Sequence, residues 1–362
     1  MGELRTALRV CPLCESTCGL ELSLRGDRVV DVQGHAGDVF SGGYLCPKGA
    51  NLGALDEDPD RLVGPLVRRD GVLQPAGWEE AFAVAAAGLR GVRERFGAQA
   101  NAVYMGNPSA HNLAGAPFNR VVAKALGTRN IYSAGSLDTI PLNVACGELF
   151  GGVGALPIPD VDRTMLLVAI GANPVVSNGS VATAPNFPGR LRALRERGGR
   201  LVVVDPAVTR TAELADLHLS VRPATDAYLL LGMVNTLFSE GLVALGEYAD
   251  LVGGVDELER MAAPFTAEVV AGVCDVAADA IRGLARELAA AESAAVYGRV
   301  GTCQVRHGTV TNWLIHVLNV LTGNVDRAGG VMFPQNPTRP AHERERPYVM
   351  GRHHSRVRGC RS

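Results

Sequence analysis

The sequence predicts an α/β protein: a small cysteine-bearing N-terminal domain built on a β-hairpin, then doubly wound domains around parallel sheet. Three observations predict it. Four cysteines occupy the opening stretch, three in one loop and one on a later return. Continuous apolar runs at 165–170, within 200–204 after Arg200, and at 294–297 are short and do not alternate, as in strands buried on both faces. Segments of helical length separate these runs, so strands alternate with helices.

The opening stretch reads Cys11-Pro-Leu-Cys14-Glu-Ser-Thr-Cys18 and is completed by Cys46-Pro47-Lys48-Gly49, a C-x2-C-x3-C-x27-C-P spacing. Thiolates are soft anionic ligands, and four of them suit an iron–sulfur cluster or a structural zinc. All-cysteine zinc sites usually pair two short C-x2-C knuckles. Here three cysteines crowd one loop and the fourth stands alone before a proline, which favours a [4Fe–4S] cluster. Residues 19–33 alternate on either side of Gly26-Asp27, which predicts a hairpin that returns the chain toward Cys46. The polar run at 56–60 ends this domain, giving a boundary at 1–60.

Further on, an Ala-rich helix is predicted over 78–96, acidic at its start and basic at its end, in keeping with the helix dipole. Short strands follow at 102–105 and 130–133, with helices at 113–126 and 139–150. The run 165–170 breaks into Gly171-Ala-Asn-Pro, a basic helix lies around 189–197, and the run 200–204 ends at Asp205-Pro206. A strand at 217–221 and a helix at 227–240 come next, then two or three helices between 245 and 291. The strand at 294–297 enters Gly298-Arg-Val-Gly301, and a buried helix over 309–321 stops at Gly323.

Bulk properties exclude several classes. With 362 residues, 47% hydrophobic, 20% charged and a net charge of −2, the chain reads as globular, without the basic excess that nucleic acid or an anionic membrane would require. No apolar run is long enough to span a bilayer. The N-terminus shows neither an apolar signal core nor paired arginines, and Cys146, Cys274, Cys303 and Cys360 are scattered without a pairing pattern. Both features point to a reducing compartment, the cytoplasm.

In open α/β sheets ligands bind beyond the carboxyl ends of the strands. Three such ends carry suitable loops: Gly171 to Ser177, Asp205, and Gly298 with Gly301. Singly, each is also explained as a turn or a helix cap. There is no GxGxxG and no Walker A motif, so ordinary dinucleotide or ATP binding is not favoured.

Taken in order, the cysteine loop, CPKG, GNPSAHN, GSLDT, IGANPVVSNGS, VVVDPAVTRTAELADLHLSVRPATDA, CQ and LTGNVDRAGG resemble the molybdopterin oxidoreductases of the dimethyl sulfoxide reductase family. That family includes formate dehydrogenases and nitrate reductases, and the resemblance runs from Cys11 to about Pro334. It implies a [4Fe–4S] cluster on Cys11, Cys14, Cys18 and Cys46, and a molybdenum or tungsten ion held by bis-molybdopterin guanine dinucleotide. Lys48 would lie on the electron path, or neutralise the anionic cluster. Gly171, Asn173, Asp205, Asp226 and Gln304 match positions that contact the dinucleotides. Asp226 would accept from guanine N–H groups, and it equally suits an N-cap for a helix beginning at Ala227.

Cys146 is the candidate ligand for the molybdenum ion. It lies a little farther on than the family pattern, and Gly147 follows where formate dehydrogenases place a histidine. A lone cysteine in a helix is also a common small buried hydrophobe.

The resemblance divides the chain into a cluster domain at 1–60, an incomplete first α/β domain at 61–137 plus 298–335, and a Rossmann-like molybdopterin dinucleotide domain at 138–297. A basic tail at 336–362 is expected to be disordered. Family catalytic subunits are longer, and their closing β-barrel domain is not expected here, so the chain reads as the N-terminal part of a larger enzyme. The expected function is oxidoreduction of a small substrate such as nitrate, formate or another oxyanion. The expected partner is an electron-transfer protein or subunit, with no nucleic acid and no membrane insertion. Two alternatives stay open: a non-catalytic iron–sulfur electron-transfer or scaffold fragment, and a zinc-stabilised α/β binding protein.

Overall fold

The computed structural model describes residues 3–112, 115–152 and 154–334. The expected tail at 336–362 and Cys360 lie outside the described residues. The chain divides into two compact units. One holds the described residues up to Ser136 together with Pro174–Gly189, and the other holds Leu137–Asn173 and the described residues from Arg190 onward.

The first unit opens with β1 (Leu4–Val10), β2 (Gly19–Arg25) and β3 (Arg28–Gly34), an antiparallel sheet in that order. The predicted hairpin is β2–β3, turning at Gly26, whose φ of +62° suits glycine. β1 is an addition to the sequence reading. It pairs residue for residue from Leu4 opposite Arg25 to Val10 opposite Gly19. As an edge strand with almost every side chain exposed, it buries too little to leave an apolar pattern.

Next come the short helices α1 (Pro47–Ala50) and α2 (Leu52–Asp56), then a further hairpin that the sequence did not signal, β4 (Leu66–Arg69) with β5 (Val72–Pro75). Helix α3 (Trp78–Phe96) spans the predicted residues and buries none of them. β6 (Val103–Met105), α4 (Gly115–Leu126) and β7 (Ile131–Ser133) follow, with β6 and β7 paired in parallel.

Helix α5 (Gly135–Asp138) leads into the second unit, which continues with α6 (Ile140–Phe150), β8 (Ile158–Pro159) and β9 (Leu166–Ile170). Helix α7 (Pro174–Ser177) belongs to the first unit, and α8 (Phe187–Glu196) carries the chain back. Then come β10 (Arg200–Val204), β11 (Leu217–Leu219) and the helices α9 (Asp226–Ser239), α10 (Val255–Ala262), α11 (Ala267–Cys274) and α12 (Ala278–Ala290). β12 (Ala294–Gly298), α13 (Val300–Cys303), α14 (Gly308–Leu321) and β13 (Val331–Met332) close the described chain, β13 pairing with β8.

The central sheet of the second unit is parallel, in the order β11-β10-β9-β12. From β9 the chain winds outward through β10 to β11, then crosses to the other side for β12. The strand order therefore reverses between β9 and β12, the place where open α/β sheets bind ligands beyond the carboxyl ends of their strands. Alternation sends Leu166, Val168 and Ile170 toward the core formed with α9, α12 and α14, while Leu167 and Ala169 are buried on the opposite face. Burial on both faces explains the unbroken apolar runs in the sequence.

The sequence reading groups 298–335 with 61–137, and the two compact units group them otherwise. α14 packs on α6, α9 and β12, and buries Leu314, Ile315, Leu318 and Leu321. Among the described residues no helix is long and apolar enough to cross a membrane.

Candidate functional site

Three of the four expected cluster ligands occupy the connection between β1 and β2. Cys11 N donates to Cys18 O at 2.8 Å and Thr17 N to Cys14 O at 3.2 Å, which closes residues 11–18 into a tight loop with Thr17 at φ +42°. The pairing of β1 and β2 immediately before and after the loop fixes its base. Cys46 caps α1 with extended backbone, and Pro47 stands at the first helical turn, where a missing N–H costs nothing.

The return of Cys46 is built by the segment after β3. Asp38 Oδ2 accepts from Ser41 N at 2.7 Å and from Ser41 Oγ at 2.6 Å. These bonds hold the Asp38 carboxyl below its ordinary pKa. Gly19 N donates in turn to Ser41 Oγ at 3.1 Å. A Cβ on Gly19 would lie 2.5 Å from Asp38 Cβ, so only glycine allows this approach. Gly49 of α1 is buried, and a Cβ there would stand 3.9 Å from Cys11 Sγ. The sequence reading missed the Asp38–Ser41 clasp, because its partners are ordinary polar loop residues.

Cys11 and Cys18 are buried over Leu20 and Val32. Burial, then repulsion from the other thiols of the set, pushes Cys18 up to about 11. Cys11 is raised chiefly by burial, against a backbone hydrogen bond involving Leu13, with Cys14 and Cys46 adding repulsion and Lys48 opposing it. The structure thus brings all four predicted cysteines and Lys48 within electrostatic reach of one another. Four crowded thiolates require a cationic centre to be stable. A single tetrahedral zinc would draw its sulfurs to roughly 3.8 Å apart, from Zn–S bonds of about 2.3 Å. An all-thiol set of four converging from one loop and one return is the donor set a [4Fe–4S] cluster takes.

In the second unit the residues predicted at strand ends gather around the switch point. Gly171, just past β9, has φ +53°, and a Cβ there would lie 2.9 Å from Gly301 Cα. Gly301 N donates to Gly171 O at 3.0 Å, and a Cβ on Gly301 would stand 2.7 Å from Gly171 Cα. Two glycines in backbone contact therefore bring the β9 and β12 loops together. Asn173 Oδ1 accepts from Thr211 Oγ1 at 2.7 Å.

Past β10, Asp205 Oδ1 accepts from Ala207 N at 2.9 Å, a side-chain turn. Asp226 is 6% exposed, and burial, reinforced by Asp205, raises its carboxyl pKa. Two neighbouring carboxylates at the sheet's carboxyl edge invite a ligand that donates N–H groups. The N-cap reading of Asp226 is corrected: Thr225 occupies that position and Asp226 is the first helical residue of α9. Gln304 is exposed as the residue capping α13.

Arg299, missed in the sequence, follows β12 directly. Its buried guanidinium donates to Asp138 Oδ1 at 3.0 Å, fastening the β12 loop to the Gly-Ser-Leu-Asp segment. Cys146 is 0% exposed within α6 and packs with Leu142 and Cys303. Burial pushes its thiol up to about 12. Its Sγ lies 3.4 Å from His316 Nε2.

Comparison with known proteins accords with both arrangements. A model of the molybdopterin oxidoreductase family matches residues 61–357, and a model of the molybdopterin oxidoreductase Fe4S4 domain matches residues 6–55. Similar curated proteins include the F420-dependent formate dehydrogenase 2 subunit alpha of Methanococcus maripaludis, 27% identical over 92% of this chain and 48% of its own length. Formate dehydrogenase H of Escherichia coli is 27% identical over 90% of this chain and 45% of its own. The periplasmic nitrate reductase of Desulfovibrio desulfuricans is 28% identical over 90% and 44%. The chain thus spans about half the length of the curated relatives it matches. Among solved structures, the acetylene hydratase of Pelobacter acetylenicus has the same fold, with a TM-score of 0.75 at 22% identity over 90% of this chain and 44% of that one.

Proposed function

Because the chain belongs to the molybdopterin oxidoreductase family, whose cofactors are a [4Fe–4S] cluster and a molybdopterin-bound molybdenum or tungsten ion, we propose that it serves electron transfer between two such centres in an oxidoreductase acting on a small substrate. When bound, the pterin-held metal supplies the two-electron chemistry and the cluster relays single electrons. Nitrate, formate or another small oxyanion is the substrate class we assign.

The observation that carries this reading is the gathering of Cys11, Cys14, Cys18 and Cys46 inside the residues that match the Fe4S4 domain. These four thiols hold the cluster. Lys48 offsets their charge and stands on the electron path. Gly171 and Gly301 let backbone approach one dinucleotide closely, Asn173 and Gln304 offer side-chain amides, and Asp205 with Asp226 accepts from the guanine edge. The burial of Cys146 supports a packing role over metal ligation. The scattered cysteines without a pairing pattern support a reducing compartment, the cytoplasm, and an electron-transfer protein or subunit is the macromolecular partner.

A second reading has one observation in its favour. With Cys146 enclosed, the chain could retain the cluster and act as an electron-transfer or scaffold protein without a competent molybdenum site. Anaerobic purification with analysis of iron, sulfide, molybdenum, tungsten and zinc, plus low-temperature EPR after reduction, separates the two. About four irons with molybdenum or tungsten support the oxidoreductase. Iron and sulfide alone support the scaffold, and zinc alone defeats both.

A further inference from the structure

The segment Pro174–Gly189 leaves the second unit's strand β9 and packs within the unit that carries the thiol loop. Its backbone is unusual. Asn178, Gly179, Val181, Thr183 and Asn186 all have positive φ, between +49° and +70°. Val181, a β-branched residue at +70°, is strongly disfavoured there. Such strain persists only where the surroundings over-determine it, and it clusters at functional segments.

Here the surroundings are explicit. Gly179 N donates to Pro174 O and Thr183 N to Gly179 O. A Cβ on Gly179 would lie 2.8 Å from the ring of Phe187, which is fully buried. Asn178 is itself buried, so its side-chain amide is a fixed object.

That amide is tied to the segment that returns the chain to Cys46. Tyr44 OH donates to Asn178 Oδ1 at 3.2 Å. The Tyr44 ring packs on the group formed by Cys11, Cys18, Leu20 and Val32, and its backbone N is held by Ser41 O at 2.9 Å. The phenol is therefore fixed at both ends beside the cluster ligands. A phenol has one hydrogen to donate. While that hydrogen rests on Asn178, it is withheld from the cysteines of the group on which the ring packs.

We propose that Tyr44 and Asn178 are positioning residues for the cluster's reduction potential: Asn178 holds the Tyr44 hydroxyl away from the ligand sulfurs and so keeps the potential low. This inference rests on the cluster reading above. Hydrogen bonds to cluster sulfurs favour the reduced, more negative state and raise the potential. Uptake of one electron, with no bond made or broken in the protein, is the only chemistry involved.

The test compares four versions of the 362-residue chain, reconstituted anaerobically with iron and sulfide: unsubstituted, Asn178→Gly, Tyr44→Phe, and the double variant. Glycine keeps the left-handed backbone at 178 and removes the acceptor. Each is titrated with dithionite and read by EPR. Asn178→Gly is expected to raise the ratio of reduced to oxidised protein about fivefold at the unsubstituted chain's midpoint, the size of one ordinary hydrogen bond. In the Tyr44→Phe background the same change is expected to leave the ratio unmoved, because no hydroxyl remains to redirect. An equal shift in both backgrounds, or none in either with the EPR signal intact, overturns the proposal. An unsubstituted chain that takes up no reducible cluster overturns the cluster reading and this inference with it.

Discussion

Cys146 Sγ lies 3.4 Å from His316 Nε2, joining α6 to α14 in the interior of the second unit. Phe150 stands edge-on to the imidazole at 5.6 Å between ring centroids. His316 Nδ1 has no hydrogen-bond partner among the described residues. A buried imidazole in this setting resists protonation, and burial holds its pKa down at about 4.

Stability follows from that shift with a definite sign. An unfolded histidine protonates near its ordinary 6.5, whereas folded His316 does not until about 4. Below 6.5 the unfolded chain therefore binds more protons. Stability is complete above 6.5 and is lost as pH falls toward 4, at up to about 1.4 kcal/mol per pH unit from this group. Denaturant titrations at pH 4.5, 5.5 and 7.5 should show the loss, and His316→Leu should flatten it. Equal slopes in both proteins would place the acid sensitivity elsewhere.

A second buried contact closes the edge of the central sheet. Asn319 Oδ1 accepts from Val296 N at 2.9 Å, and Asn319 Nδ2 donates to Val296 O at 3.0 Å. The side-chain amide thus stands where a further strand would run beside β12. Asn324 Oδ1 accepts from Ala294 N at 3.0 Å and extends the same edge. Asn319→Leu should leave two backbone groups of β12 unsatisfied in the core and cost about 2–4 kcal/mol, measurable by urea unfolding. A loss below half a kcal/mol would mean that water reaches this edge.

How much was legible in the sequence depends on what each residue touches. β9, β10 and β12 were readable because both of their faces are apolar, and the thiol loop because cysteine spacing is rare chemistry. β1 was silent, since its partners are backbone groups and its side chains meet water. Arg299, Asn319 and Asn178 were silent for another reason. Each gains its role from a partner 23 to 161 residues away, at Asp138, Val296 and Tyr44, and no local pattern encodes such a pairing. Cys146 shows the converse. Its residue type suggested a ligand, while its surroundings are those of a packed thiol.

The two glycines at the switch point can be separated from glycines that merely turn the chain. Gly198 has φ +84° and open space around its Cβ position, so Gly198→Ala should cost only the left-handed penalty of about 1 kcal/mol. Gly171→Ala carries a comparable penalty and also drives a methyl into the backbone of Gly301. It should cost about 2–4 kcal/mol in thermal or urea unfolding. Equal losses in the two variants would show that the β9 and β12 loops can part without cost.

Asp226 offers a prediction in which stability and binding move in opposite directions. Its carboxylate is buried at the first turn of α9, and Asp205 beside it adds repulsion. The folded pKa is raised, so an unfolded chain loses this proton more readily. The group's drag on stability is therefore small in acid and grows as pH rises past the ordinary carboxylate range. Asp226→Asn removes the charge while keeping the size, and should raise the melting temperature of the ligand-free chain at pH 7.5 more than at pH 4. It also turns one acceptor oxygen into a donor that opposes the guanine N–H groups. Affinity for a guanine nucleotide, followed by calorimetry with GMP, should fall about tenfold or more, as expected for loss of a charge-assisted hydrogen bond. A variant that gains stability and keeps its GMP affinity would remove Asp226 from the dinucleotide site while leaving its burial explained.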